Sequence, residues 1–237
     1  MNVILVPGFW LGAWSWSPVT AALFDAGHAV HPLTLPGMTS VDDDRRGIGL
    51  ADHIAAVVAA IDELPQGDDA DIVLIGHSGG GPISYAASDQ RPDRVRQVVY
   101  VDSGPLANGL AINPDIPEID GELLLPPWEF FDTDDLAGLT PQLLDEFRAN
   151  AVPEPSGVAR DGIVISDDPR RLGIRSTVIS TTMSPDQLNH YAAEGVPFLV
   201  ELPRLTDCTV LALPTGHWPQ FSRPDELAEL IVASVGA

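Results

Sequence analysis

The sequence predicts a doubly wound, mostly parallel α/β sheet with helices on both faces. Three observations carry that prediction: short aliphatic runs recur along the 237 residues, segments of helical pattern alternate with them, and one long Pro-rich, acidic stretch interrupts the alternation. The runs fall at 2–6, 29–33, 71–75, 95–101, 176–181 and 208–213, and their unbroken apolar character is that of buried parallel strands. Helical patterning covers 16–26, 49–63, 80–88, 185–193 and 224–235, so that most strands are followed by a crossover helix.

The exception is 103–172, rich in Pro and Asp/Glu, with one clear amphipathic segment at 140–150. A connection of that length inside a compact domain is usually a functional lid or small lobe. The expected organisation is one domain over 1–237, with 103–172 inserted after the fourth strand as a cap over the carboxyl ends of the sheet, where doubly wound proteins bind ligands.

Composition narrows the partners. There are 34 acidic residues against 12 basic ones, every basic residue is Arg, and the formal charge is −22. Nucleic acid and anionic membranes are therefore poor partners, and a small-molecule substrate handled by a monomer or homodimer is expected. The single cysteine, Cys208, rules out an internal disulfide and a multi-Cys zinc site. No metal or cofactor is expected. Residues 1–10 lack a positive leading segment and are broken at Pro7-Gly8, so they read as a strand rather than a signal peptide. No apolar stretch reaches the roughly 18 residues of a membrane span, which makes a soluble, cytoplasmic protein the expectation.

The densest chemical signal is Gly76-His77-Ser78-Gly79-Gly80-Gly81, between the run 72–75 and the helical segment 82–88. A G-x-S-x-G turn from strand to helix presents its serine at the sheet edge, and the glycines remove side chains that would clash in so tight a turn. Ser78 is the candidate nucleophile. A serine alcohol needs a base, and of the six histidines only His217 lies just past a strand, on a loop leading to the last helix. His28, His31, His53 and His190 read as surface or helix-face residues, and His77 as a packing histidine.

This order of elbow, cap and late Gly216-His217 before an acidic C-terminal helix resembles the α/β-hydrolase superfamily. The opening Val6-Pro7-Gly8-Phe9-Trp10-Leu11-Gly12-Ala13-Trp14-Ser15-Trp16, with Ala26-Gly27-His28, is similar to the branch that holds plant-type methylesterases and hydroxynitrile lyases. Pro7 stands where that branch usually has His. The resemblance implies a cofactor-free serine esterase that cleaves a carboxylic ester or lactone through an acyl-enzyme. It also implies an oxyanion hole built from the backbone N–H groups of Gly79 and, by position after the first strand, Phe9.

The carboxylate that should orient the histidine has two candidates. Where the family usually carries it, the chain reads Ser184-Pro185-Asp186-Gln187, the form of a helix capping box, which already accounts for Asp186. Asp102, at the end of the strand after the nucleophile's helix, is the other, and some family members carry their acid there. The catalytic set is taken as Ser78, His217 and Asp102, with Asp186 the alternative. For substrate contact the aromatic candidates are Trp10, Trp128 and Trp218, while Trp14 and Trp16 read as core. Rival readings are a ligand-binding homologue that lost turnover and a cofactor-free C–C hydrolase or lyase. The related plant lyases use a Lys, and this chain has none.

Overall fold

The computed structural model describes residues 1–65 and 71–236. In chain order the elements are β1 (Asn2–Val6), α1 (Ser17–Asp25), β2 (Ala29–Pro32), α2 (Leu50–Glu63), β3 (Ile72–His77), α3 (Gly80–Gln90) and β4 (Val95–Val101). Then follow β5 (Glu122–Leu123), α4 (Pro141–Asn150), β6 (Glu154–Pro155), α5 (Ser156–Arg160), β7 (Arg175–Ser180), α6 (Pro185–Ala193), β8 (Cys208–Ala212), α7 (Pro219–Ser222) and α8 (Pro224–Val235). All six runs read as strands are strands, each within two residues of its expected ends.

The strands of the main sheet lie in the order β2-β1-β3-β4-β7-β8, and every neighbouring pair is parallel. Period-two alternation splits their side chains between two cores. Val3, Leu5, Val73, Ile75 and Val99 pack with Trp16, Val19 and Leu23 of the first helical region and with Leu227 and Ile231 of α8. Ile4, Val6, Leu74, Val98 and Tyr100 pack on the other side with Leu50, Ile54 and Val57 of α2 and Ile83 of α3. Apolar side chains on both faces are why the strands read as unbroken runs. The expectation of burial fails for β2 and β8, which are only partly buried because each is a sheet edge with a single neighbour.

From β1 the chain crosses to β2 on one side, and from β3 it crosses to β4 on the other. The carboxyl ends of the adjacent strands β1 and β3 therefore form a switch point, where the diverging connections leave a crevice. Between β4 and β7 the chain leaves the sheet to form the antiparallel β5–β6 ribbon, α4 and α5. Among the described residues no helix is long and apolar enough to cross a membrane.

Candidate active site

Ser78 follows β3 in a left-handed backbone conformation, φ +49°, in the tight turn into α3. Only glycine fits on either side of it. A Cβ on Gly76 would collide with the Gly80 carbonyl, and one on Gly80 would lie 2.5 Å from the Val6 carbonyl oxygen. The Ser103 hydroxyl braces the turn by donating to the Ser78 carbonyl at 2.6 Å.

The Ser78 hydroxyl lies 2.8 Å from His217 Nε2, and His217 Nδ1 lies 2.6 Å from Asp102 Oδ2. A carboxylate only accepts, so Nδ1 carries the proton and Nε2 presents its lone pair to the serine. The other Asp102 oxygen accepts the Thr181 and Thr182 amides at 3.0 and 3.1 Å, and Asp102 itself has φ +42°. Burial pushes the Asp102 carboxyl up, but the hydrogen bond and charge of His217, with the two amides, outweigh it and hold the group well below the ordinary carboxylate range. For His217 burial acts downward, and the Asp102 hydrogen bond and charge, aided by Asp135, raise the imidazole on balance.

The histidine loop is anchored from two directions. Its amide donates to the Asp135 carbonyl at 2.8 Å, and its own carbonyl accepts from His77 Nε2 at 2.7 Å. His77 is fully buried, and burial above all keeps its ring neutral by lowering its pKa to about 3. The packing role read for His77 thus supports the His217 backbone. Asp186 sits exposed in the first turn of α6, where Ser184 and Gln187 close the capping box at 3.2 and 2.9 Å. It has no part in the Ser78–His217–Asp102 chain of hydrogen bonds.

The Gly8–Phe9 loop lies against Ser78, since a Cβ on Gly8 would fall 2.9 Å from that of Ser78. The Phe9 ring covers Gly79, and among the described residues neither the Phe9 nor the Gly79 amide donates to a protein acceptor. Beside these groups opens a pocket of about 450 Å³. Its lining is mainly apolar, with Trp10, Leu106, Ile116, Phe131, Val178, Met183 and Trp218, and Asn113, Asp132 and Asp135 are among its polar members. Trp128 does not line it, contrary to expectation. Its ring packs behind the pocket against Phe131 and Phe147, 5.9 and 5.5 Å between centroids, with the Arg148 guanidinium 4.5 Å from its centre.

Several residues here were not singled out in the sequence. Ser103, Thr181, Thr182 and Asp135 act through backbone groups or single hydrogen bonds, which leave no periodic trace; only Ser103, next to Asp102, had a positional cue. His53, read as a surface or helix-face residue, lies on the buried face of α2.

A parallel sheet with helices on both faces and reactive groups at its switch point defines the doubly wound α/β class. The chain belongs to the alpha/beta hydrolase family, whose model matches residues 3–230. It is 25% identical to a carbendazim hydrolyzing esterase of Nocardioides sp. (strain SG-4G), over 98% of each chain. To methylesterase 7 of Arabidopsis thaliana it is 34% identical over 41% of this chain and 38% of that one. The fold is shared with an extracellular alpha/beta-hydrolase from a Paenibacillus species, at TM-score 0.76 and 20% identity over 98% of each chain. The methylesterase MES16 from Arabidopsis also matches at TM-score 0.76, with 17% identity over 100% of this chain and 99% of that one.

Proposed function

We propose that the chain is a serine esterase that cleaves a carboxylic ester of a small, largely apolar substrate through an acyl-enzyme. The observation that carries this reading is the continuous Ser78–His217–Asp102 chain of hydrogen bonds, 2.8 and 2.6 Å, opening on an apolar pocket. Membership of the alpha/beta hydrolase family, with relatives named esterase and methylesterase, supports the same reaction.

In the first half-reaction His217 Nε2 takes the Ser78 proton as Oγ attacks the ester carbonyl, and the resulting imidazolium is balanced by Asp102. The Phe9 and Gly79 amides receive the negative charge that develops on the carbonyl oxygen; each such donor contributes about 2.7–4 kcal/mol to the transition state. The imidazolium then protonates the departing alcohol. In the second half-reaction His217 activates a water that hydrolyses the acyl-enzyme and regenerates Ser78. Residues 103–172 serve as the cap: Phe131, Leu106 and Ile116 belong to this segment and line the pocket beside Trp10 and Trp218. The formal charge of −22 suits a neutral small molecule rather than a polyanion. We place its work in the cytoplasm, as a monomer or homodimer.

The test is intact-protein mass after treatment with a fluorophosphonate, alongside turnover of a panel of simple esters and lactones. One adduct and ester turnover in the wild type, both absent in Ser78→Ala, is the expected result. A folded wild type with neither would overturn the reading and leave a ligand-binding relative in its place.

A further inference from the structure

The loop that carries Phe9 is gripped from the β5–β6 ribbon. Trp10, with φ +64°, is strained for a bulky residue. Its amide donates to Glu154 Oε2 at 3.2 Å and its indole N–H to the Leu123 carbonyl at 2.9 Å. Leu123 and Glu154 are register partners in that ribbon, so one two-stranded unit fixes both the backbone and the side chain of the residue next to Phe9.

The remaining Glu154 oxygen, Oε1, lies 3.6 Å from His53 Nδ1. Glu154 is 2% exposed and His53 1%. His53 Nε2 is 2.9 Å from the Pro36 carbonyl oxygen, which can only accept, so Nε2 carries a proton. In the neutral ring Nδ1 is then a bare lone pair near Oε1, and Nδ1 has no hydrogen-bond partner among the described residues. Two lone pairs turned toward each other repel, and one proton between them removes the conflict. The neighbours oppose burial, since the Trp10 amide and Arg45 draw the Glu154 carboxyl down while the Pro36 carbonyl and Asp52 draw His53 up, and burial outweighs them. Arg45 donates to Glu122 at 3.1 Å and to the Ser40, Val41 and Asp43 carbonyls, while Asp52 of α2 accepts the Gly49 amide at 2.9 Å. Arg45 pairs with Glu122, and among the described residues no arginine forms an ion pair with Glu154, so burial favours its neutral form.

We propose that Glu154 is a positioning residue for the Phe9 amide and that it works as a neutral carboxylic acid beside a neutral His53. The inference rests on the reading of Phe9 as an oxyanion donor. In this state the proton sits on Oε1, on the side of His53, and Oε2, the carbonyl oxygen, accepts the Trp10 amide. Burial drives both groups toward it, raising the Glu154 carboxyl to about 8 and lowering His53 to about 4. Ionisation of Glu154 strengthens its bond to the Trp10 amide but leaves a buried charge without an ion-pair partner, and the solvation it demands displaces the ribbon that holds the Phe9 loop.

The experiment compares wild type, Glu154→Gln and Glu154→Ala in hydrolysis of p-nitrophenyl acetate from about pH 6 to 9.5, with thermal unfolding to establish the folded state. Gln reproduces the neutral acid, its carbonyl accepting from Trp10 and its NH₂ facing Nδ1. It should keep kcat within about threefold and lose the wild type's decline above about pH 8, while Ala lowers kcat about tenfold or more with KM within about twofold. Wild-type kcat in Glu154→Ala, or an unchanged alkaline limb in Glu154→Gln, overturns the inference. A wild-type-minus-Glu154→Gln infrared spectrum near neutral pH should show a protonated carboxyl C=O stretch, and its absence overturns the neutral carboxyl. If the wild type hydrolyses no ester, the esterase reading falls and this band alone decides where the proton sits.

Discussion

His217 Nδ1 sits 2.6 Å from Oδ2 of Asp102, a residue that follows β4, rather than from an acid beyond β7. The strand after α3 thus supplies the carboxylate, and the β7 end supplies the Thr181 and Thr182 amides that hold it. Strand β7 still takes part, through donors instead of a charge.

Asp102→Asn should lower kcat by about 10³–10⁴-fold with little change in KM, because the amide favours the wrong imidazole tautomer. Asp186→Asn, on exposed α6, should leave both constants unchanged. Steady-state kinetics on one ester separates the two, and a large effect at Asp186 would sink the assignment.

The pH profile should carry the mark of Asp135. Catalysis needs neutral His217, so kcat/KM rises with pH through an imidazole pKa that Asp102 and Asp135 lift against burial. Asp135→Asn keeps the backbone carbonyl that holds the His217 amide but removes one negative charge. The acid limb should move to lower pH, and a profile that stays put contradicts the electrostatic account.

Gly76→Ala pushes a methyl group into the Gly80 carbonyl at the elbow. The cost should be about 1–3 kcal/mol of stability, typical of overpacking, read as a lower midpoint in urea unfolding. An unchanged midpoint would mean that the turn can relax.

Trp218 lines the pocket and Trp128 stands behind it. Trp218→Phe should therefore alter the ranking of kcat/KM across esters of increasing acyl length. Trp128→Phe should lower Tm while leaving that ranking in place, and a reversed pattern would restore Trp128 as a substrate contact.

Glu154 should also leave a trace in stability. Its folded pKa of about 8 exceeds the ordinary 4.5, so between those values the folded state holds a proton that the unfolded chain releases, and stability falls as pH rises. His53, lowered from 6.5 to about 4, acts in the opposite sense across its own window. Above pH 6.5 only the Glu154 slope remains of the two. Denaturant unfolding of Glu154→Gln from there to pH 8 should therefore be flatter than the wild type, and equal slopes would speak against the raised pKa.

Much of this was legible in the sequence, for reasons that differ by element. Strands such as Asn2–Val6 and helices such as Pro185–Ala193 declare themselves through local periodicity and caps, and the elbow through its glycines. Ser78 and His217 followed from their places after strands. The choice between Asp102 and Asp186 turned on which strand end faces the imidazole, a fact of the assembled sheet. Trp128 was misread because an aromatic in a cap carries no local sign of which side it faces. The pairing of Trp10 with Glu154 spans 144 positions and has no local signature at all.

Three of the left-handed residues, Trp10, Ser78 and Asp102, have a consequence for how the protein comes to life. Each conformation is held by partners from elsewhere: Glu154 and Leu123 for Trp10, Ser103 for Ser78, and Thr181 and Thr182 for Asp102. A chain emerging from the ribosome displays its elbow sequence early, yet the partners that lock these three conformations are synthesised from 25 to 144 residues after them, and the imidazole 139 residues after Ser78. The serine therefore remains an ordinary alcohol until synthesis is almost finished, and a half-made or prematurely terminated chain has no reactive centre to turn on its surroundings.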